Sequence, residues 1–401
     1  MSQKTATTGN HGEKVRSDCQ VTLEITREGG RIINVESKVQ SMYGKSNLEL
    51  IHKILDHYEI DHCRLELLDS GALPPVIAAR MEASVKQLLK TTKEFLPDLI
   101  PENQYASKRD AFRFSRLYLP GNTPAMMLNA GIHHPNGIIL DLEDSVAPAK
   151  KKEAQLLVRN ALRQVNFYGA ERMVRINQVP AGIEDLQFVV PHNVHVILIP
   201  KCEQAEQVLM VEEEVKRLML AHELHNEIYF MPIIESALGV ENAFSIAASS
   251  EKVIALAMGL EDLTADLGVA RTEAATESFY ARTRVVNACK AARKQPIDSV
   301  YSDVANMEGL MQNVLQSKSL GFEGMGCIHP RQISVIHKGF APTAEEIAKA
   351  ADIAAAFREA EQKGLGVVSL GSKMIDPPVV KRALRIIEIA EKFGIIAKKI
   401  D

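Results

Sequence analysis

Apolar and polar positions change their rhythm twice along the chain. Near the start, Val21, Leu23 and Ile25 alternate with polar residues, the period of a half-buried strand. Glu28-Gly29-Gly30 makes a turn, and Ile33 and Val35 resume the alternation, which predicts a hairpin. Leu48, Ile51, Ile54 and Leu55 then fall at helical spacing. Cys63, Leu65 and Leu67 alternate again, and a second helix follows Pro74-Pro75 through Met81, Val85 and Leu88. The predicted order is β-β-α-β-α, a small α+β unit over residues 1–90. Residues 91–111 are charged, carry two prolines and keep no period, so they read as a linker free enough for swinging.

From residue 112 the pattern is different. Short apolar runs recur at Leu117–Leu119, Ile138–Leu140, Met173–Ile176, Val196–Ile199, Tyr229–Ile234, Val253–Met258, Ser299–Tyr301 and Met325–Ile328. Helix-like stretches such as Glu203–Leu220 and Phe279–Lys294 lie between them. Eight strands alternating with helices predict a parallel sheet, and eight is the number that closes a (β/α)8 TIM barrel, here over residues 112–340. An open doubly wound sheet competes with that reading, but no G-x-G-x-x-G follows any of the strands. Residues 339–345 (GFAPTAE) break the pattern again. Thr343 is placed to cap the next helix, with Glu346 at capping-box spacing. Residues 341–401 then form a C-terminal helical segment.

Composition narrows the classes. A chain of 401 residues suits a barrel plus something smaller, and 46% apolar residues can fill its core without any tryptophan. A net charge of −4 gives no reason to expect nucleic acid or an anionic membrane as partner. The five scattered cysteines show no C-x-x-C spacing, so neither a disulfide framework nor a zinc site is suggested. The polar first residues lack the apolar region of a signal peptide, and no apolar run approaches the roughly 20 residues that span a bilayer. The expectation is a cytoplasmic protein.

Catalytic groups of such barrels gather at the C-terminal ends of the strands. Here those ends carry Asp141-Leu142-Glu143-Asp144, Arg175 with Asn177, Pro200-Lys201, Glu235-Ser236, Glu261-Asp262 and His329-Pro330. Carboxylates converging on one mouth repel one another and are driven towards protonation unless a cation compensates. Mg²⁺, which takes one or two carboxylates plus water and substrate oxygens, is the natural compensator, with Glu235 and Asp262 as its ligands. Arg175 is suited to a substrate carboxylate because its fork binds two oxygens at once. Taken singly, each residue has a plain structural reading: an acidic strand end as a helix N-cap, Arg175 as an ion-pair partner, His329 as a satisfied core histidine. Their concentration at one end of consecutive strands favours function.

The motifs Leu119-Pro120-Gly121-Asn122, Asp141-Leu142-Glu143-Asp144-Ser145-Val146, Val174-Arg175-Ile176-Asn177, Ile234-Glu235-Ser236-Ala237, Gly259-Leu260-Glu261-Asp262, Ile328-His329-Pro330-Arg331 and Gly371-Ser372-Lys373-Met374-Ile375-Asp376 occur in order. This set, over residues 112–400, resembles the citrate lyase beta subunit (HpcH/HpaI aldolase) family, which includes malyl- and citramalyl-CoA lyases. The resemblance implies a TIM barrel with a C-terminal lid, Mg²⁺ at Glu235 and Asp262, and substrate contacts from Arg175, Asn177 and His329. It also implies Arg116 near the thioester, and a lid aspartate, Asp376, entering a neighbouring subunit's site in a trimer or multiple of it. Asp376 is then the group that moves a proton, with Asp141 and Glu143 supporting it or orienting metal-bound water.

The front unit resembles the acyl carrier (gamma) subunit of citrate lyase, through Ser17-Asp18-Cys19, Tyr43-Gly44, Gly71-Ala72-Leu73 and Ala79-Arg80-Met81-Glu82. That likeness implies a phosphoribosyl-dephospho-CoA-type group on Ser17. The lead into the serine, Lys14-Val15-Arg16, departs from the family's Gly-Thr-Leu-Glu-like one, so an unmodified Ser17 on a docking domain is the competing reading. The implied reaction is retro-Claisen cleavage of a citryl or citramalyl thioester to oxaloacetate or pyruvate and an acetyl thioester, with a separate citrate lyase alpha-like acyl transferase as partner. A lyase acting on a free CoA thioester and a non-catalytic scaffold subunit are the alternatives.

Overall fold

The structure, a computed structural model, describes residues 5–362, 368–370 and 373–397. Gly371 and Ser372 of the last motif lie outside them. The front unit comprises β1 (Thr5–Gly9), β2 (Cys19–Ile25), β3 (Arg31–Ser37), α1 (Gln40–His57), β4 (Cys63–Asp69) and α2 (Pro74–Leu88). Its sheet order is β1-β2-β4-β3. The hairpin expected of β2 and β3 is therefore corrected: β4 lies between them, antiparallel to β2 and parallel to β3. The turn at Gly29-Gly30 reverses the chain, but the pairing partner arrives from beyond α1. β1 escaped the sequence reading because Thr-Ala-Thr-Thr-Gly carries almost no apolar signal.

The second unit holds β5 (Ser115–Pro120), β6 (Gly137–Asp141), β7 (Glu171–Arg175), β8 (Val196–Ile199), β9 (Tyr229–Ile234), β10 (Ala255–Met258), β11 (Gln295–Ile297) and β12 (Met325–Cys327). They pair in parallel in the order β11-β10-β9-β8-β7-β6-β5-β12. A single bridge, Asp298 to Met325, joins the two ends and closes the barrel. The helices are α3 (Pro124–Met127), α4 (Lys151–Gln164), α5 (Ala205–Ala221), α6 (Ala237–Glu241), α7 (Ala243–Ala248), α8 (Leu260–Leu267), α9 (Phe279–Ala291), α10 (Met307–Leu320), α11 (Arg331–Phe340), α12 (Ala344–Gln362) and α13 (Pro377–Lys392). Seven of the eight predicted runs overlap the strands observed. The seventh strand is Gln295–Ile297 instead of Ser299–Tyr301, because its backbone pairs through Pro296 and leaves no apolar run to see. Inward side chains Ile139, Met173, Val196, Leu198, Met231 and Ile233 fill the barrel, while a larger core including Leu117, Leu140, Val174 and Ile197 packs the helices on its outside. Thr343 and Glu346 form the expected reciprocal cap, each backbone N–H bound by the other's side chain at 2.8 and 3.1 Å.

The front unit is fastened to the barrel's α4. Leu156 and Leu157 of α4 share one apolar core with Ile77, Met81 and Val85 of α2. Around that seam the charges close in pairs. Arg80 binds Asp18 and Glu153, both at 2.8 Å. Arg159 takes Glu82 at 2.7 Å and Glu94 at 2.8 Å. The segment expected to swing is a strap. Phe95 N–H donates to Glu82, Arg163 to the Pro97 carbonyl, Gln164 to the Asp98 carbonyl and Asn103 to the Val165 carbonyl. Its charges and prolines, which read as solvated in the sequence, are spent on contacts some 60 residues away in the chain, as between Arg163 and Pro97.

Candidate active site

A cavity of 720 Å³ opens at the C-terminal ends of the barrel strands, lined by Asp141, Arg175, Glu235, Asp262, His329 and Arg116 among others. Glu235 directly follows β9, and Asp262 sits in the first turn of α8, where a negative charge suits the helix dipole. Glu235 is 5% exposed and its Oε1 accepts the Lys201 N–H at 2.6 Å. Lys201 donates from a left-handed backbone (φ 46°), a conformation that non-glycine residues keep where the surroundings demand it. Gly259 makes the room: a Cβ there would stand 2.2 Å from Glu235 Oε2. The Glu235 carboxyl is pushed up to about 8, first by burial and then by the charge of Asp262, against the Lys201 hydrogen bond.

Arg175 departs from the expectation that its fork is open to a substrate. Nε and Nη2 both donate to Asp141 at 2.7 Å, and Nη1 lies 2.9 Å from Glu143. Burial pushes the Asp141 carboxyl up, but the Arg175 hydrogen bonds outweigh it and hold the group below its usual range. Glu143 also accepts from Lys201 Nζ at 3.1 Å, and burial raises its pKa despite Arg175. The D-L-E-D segment thus clamps Arg175, with Asp141 and Asp144 also on the cavity wall. Arg116 is the opposite case. It is 1% exposed on the cavity floor; Nη1 donates to Met231 Sδ at 2.9 Å and Nε has no partner. Among the described residues no ion pair neutralises it.

Three other expected site residues fare differently. His329 lines the cavity, its Nδ1 accepting the Arg331 N–H at 3.2 Å. Asn177 does not line it, because its side chain and its backbone N–H both donate to Asp185. Asp376 caps α13, accepting the Val379 N–H at 3.3 Å, away from this chain's own cavity. Ser17 stands on the front unit with a left-handed backbone (φ 55°). Lys201 and Gly259 join the site without a role that the sequence pattern suggests; what marks them there is a polar P-K and a glycine placed directly after strands.

Among the described residues no three His, Cys, Asp or Glu side chains converge as an all-protein metal cage. Two carboxylates facing an open cavity, neither in an ion pair among the described residues, nonetheless suit Mg²⁺, which keeps waters and substrate oxygens in its shell.

Residues 115–330 match the family model described as HpcH/HpaI aldolase/citrate lyase. The citrate lyase subunit beta of Escherichia coli K12 is 38% identical over 286 residues, 71% of this chain and 95% of that protein. The chain belongs to this family. Human mitochondrial citramalyl-CoA lyase is 30% identical over 77% of the chain and 95% of its own length. Among solved structures, the Mycobacterium tuberculosis CitE protein in complex with magnesium, acetoacetate and coenzyme A superposes with a TM-score of 0.59 at 26% identity, over 71% of this chain and 99% of that one. Residues 3–88 match a second family model, described as malonate decarboxylase delta subunit (MdcD), so the front unit is acyl-carrier-like. The family makes the chain an oxo-acid lyase that breaks a carbon–carbon bond in a hydroxy-acyl thioester. No described helix is long and apolar enough to cross a membrane.

Proposed function

We propose that this lyase is Mg²⁺-dependent and cleaves a citryl or citramalyl thioester carried on Ser17 of its own front unit. In this reading residues 1–90 are the carrier, 112–340 the catalytic barrel and 341–401 the lid and oligomerisation segment. The observation that carries it is Glu235: a buried carboxyl beside Asp262, facing the cavity, that forms no ion pair among the described residues.

Glu235 and Asp262 would hold the ion, as the magnesium in the related CitE structure suggests. When bound, Mg²⁺ supplies Lewis acidity to the substrate's hydroxyl and adjacent carboxylate oxygens. The hydroxyl gives up its proton, the C–C bond breaks to leave a 2-oxo acid, and the electron pair goes to the thioester enolate, which takes up a proton to become the acetyl thioester. Arg116, unpaired on the cavity floor, offers fixed positive charge to an anionic fragment in a water-poor place. Arg175 orders Asp141 and Glu143 and, through Glu143, Lys201. Asp376 moves the proton at the site of a neighbouring subunit, which requires a homo-oligomer, a trimer or a multiple of one. An alpha-like acyl transferase in the cytoplasm exchanges acetyl for the next acid.

A second reading, cleavage of a free CoA thioester, is favoured by the likeness to citramalyl-CoA lyase. Intact mass of natively expressed protein separates the two. An adduct removed by Ser17→Ala, with cleavage of the carrier-bound thioester, supports the first. No adduct, with full turnover of citramalyl-CoA, supports the second.

A further inference from the structure

Helix α4 follows β6, so it starts at the mouth of the barrel and runs back towards its floor. Glu153, in its first turn, therefore marks the level of the rim. Its Oε2 accepts from Gly9 N–H and from Arg80 Nη1, both at 2.8 Å. Arg80 reaches the other way to Asp18, through Nε at 3.0 Å and Nη2 at 2.8 Å, and touches the Asn122 carbonyl at 3.4 Å. Asn122 comes two residues after Pro120, which lines the cavity. Gly9 is fixed in this arrangement: at φ 81° a Cβ would stand 1.9 Å from the Cys19 carbonyl oxygen. Ser17 is next to Asp18, half-buried, with its N–H on the Ser70 carbonyl at 3.0 Å. One buried guanidinium thus joins the turn that bears Ser17 to the lip of the cavity.

The strap leaves no slack. Leu89 N–H still bonds the Val85 carbonyl at the end of α2, and Glu94 is already paired with Arg159. Four residues lie between, so the two anchors can stand no more than about 17 Å apart at full extension. Lower on α4, Leu157 shares the front unit's core and Asn160 Nδ2 donates to the Pro75 carbonyl at 2.8 Å.

We propose that the front unit remains docked on α4 of its own barrel throughout turnover, latched by Arg80, so that only the arm attached at Ser17 moves. The functional half of this rests on the reading of Ser17 as the carrying residue; the docking half does not. A recognition sequence for a specific protease, inserted between Thr91 and Thr92, allows the full-length enzyme to be cut after purification. The two fragments are expected to co-elute in size exclusion. Turnover of the carrier-bound thioester should stay within about two-fold of the uncut enzyme, because a docked carrier does not draw on the effective concentration that a tether provides. Leu157→Glu on the barrel side and Arg80→Met on the front side should each release the cut fragment; the first alters nothing inside the carrier's own fold. Separation of the wild-type fragments, or co-elution with turnover falling to that of an unlinked carrier, overturns the proposal. Ser17→Ala, cut in the same way, should co-elute as the wild type does while carrier turnover is lost. If Ser17→Ala keeps full turnover, the carrier reading fails and the docking stands on co-elution alone.

Discussion

The chain holds two buried ionic clusters, and they are built on opposite rules. At the seam between the front unit and α4 the two fully buried arginines have their carboxylates. Arg80 sits between Asp18 and Glu153, and Arg159 between Glu82 and Glu94. At the barrel mouth the count does not close. Arg175 pairs with Asp141 and Glu143, and Lys201 with Glu143, which leaves Glu235 beside Asp262 without an ion pair of its own among the described residues. Desolvating charge is tolerated when the geometry is complete and is otherwise costly. A closed cluster fastens two bodies; an open one, held at an unfavourable protonation balance, is poised for a ligand that brings the missing charge.

The largest expected effect comes from removing one side of the open cluster. Glu235→Ala should abolish tight Mg²⁺ binding in calorimetry and lower kcat/KM by about 10³-fold or more, equivalent to roughly 4 kcal/mol. Its thermal unfolding should change little, because the loss of one hydrogen bond, from the Lys201 N–H, is offset by removal of a buried carboxyl that has no ion pair among the described residues. A drop in stability with undiminished metal affinity would place Glu235 among the structural residues. Asp376→Asn, tested by steady-state kinetics, should lower kcat by about 10²-fold or more while Mg²⁺ affinity holds, as expected for a proton-moving group. Unchanged turnover removes Asp376 from the reaction.

The closed cluster should respond in the other currency. Arg159→Met leaves buried Glu82 with only the part-exposed Lys86, 3.0 Å away, as its ion-pair partner and takes the Arg159 ion pair from Glu94, and should cost about 3 kcal/mol in urea unfolding. Pairing it with Glu82→Leu should recover most of that loss, since the buried charge goes with its partner. If the single change is harmless, the seam is not closed as described. The smallest effect separates position from charge. Gly259→Ala forces Glu235 aside, since a Cβ would stand 2.2 Å from its Oε2. Mg²⁺ affinity should fall by about 10-fold, the scale of a misplaced supporting group. Unaltered affinity would mean that Glu235 has a second productive position.

The barrel was legible because its strands are short apolar runs whose period survives in one dimension. What stayed hidden depends on partners far along the chain. β4 enters between β2 and β3 although the local turn argues for a hairpin. Gln295–Ile297 is a strand by pairing alone. At the site, the residue types and strand ends put Glu235, Asp262 and His329 at the barrel mouth, and all three line the cavity there. They could not tell that Arg175 is already occupied, that Asn177 turns to Asp185, or that Arg116 is the arginine left without a carboxylate. Those outcomes are decided by which side chains meet across the barrel, and a single strand carries no record of that.

If Glu235 and Asp262 form one cation site, a crystal grown with Mg²⁺ should hold a single ion bound by both carboxylates at about 2.0–2.1 Å, its remaining ligands water. Carboxylates turned away from each other, with no ion between them at saturating Mg²⁺, would contradict it.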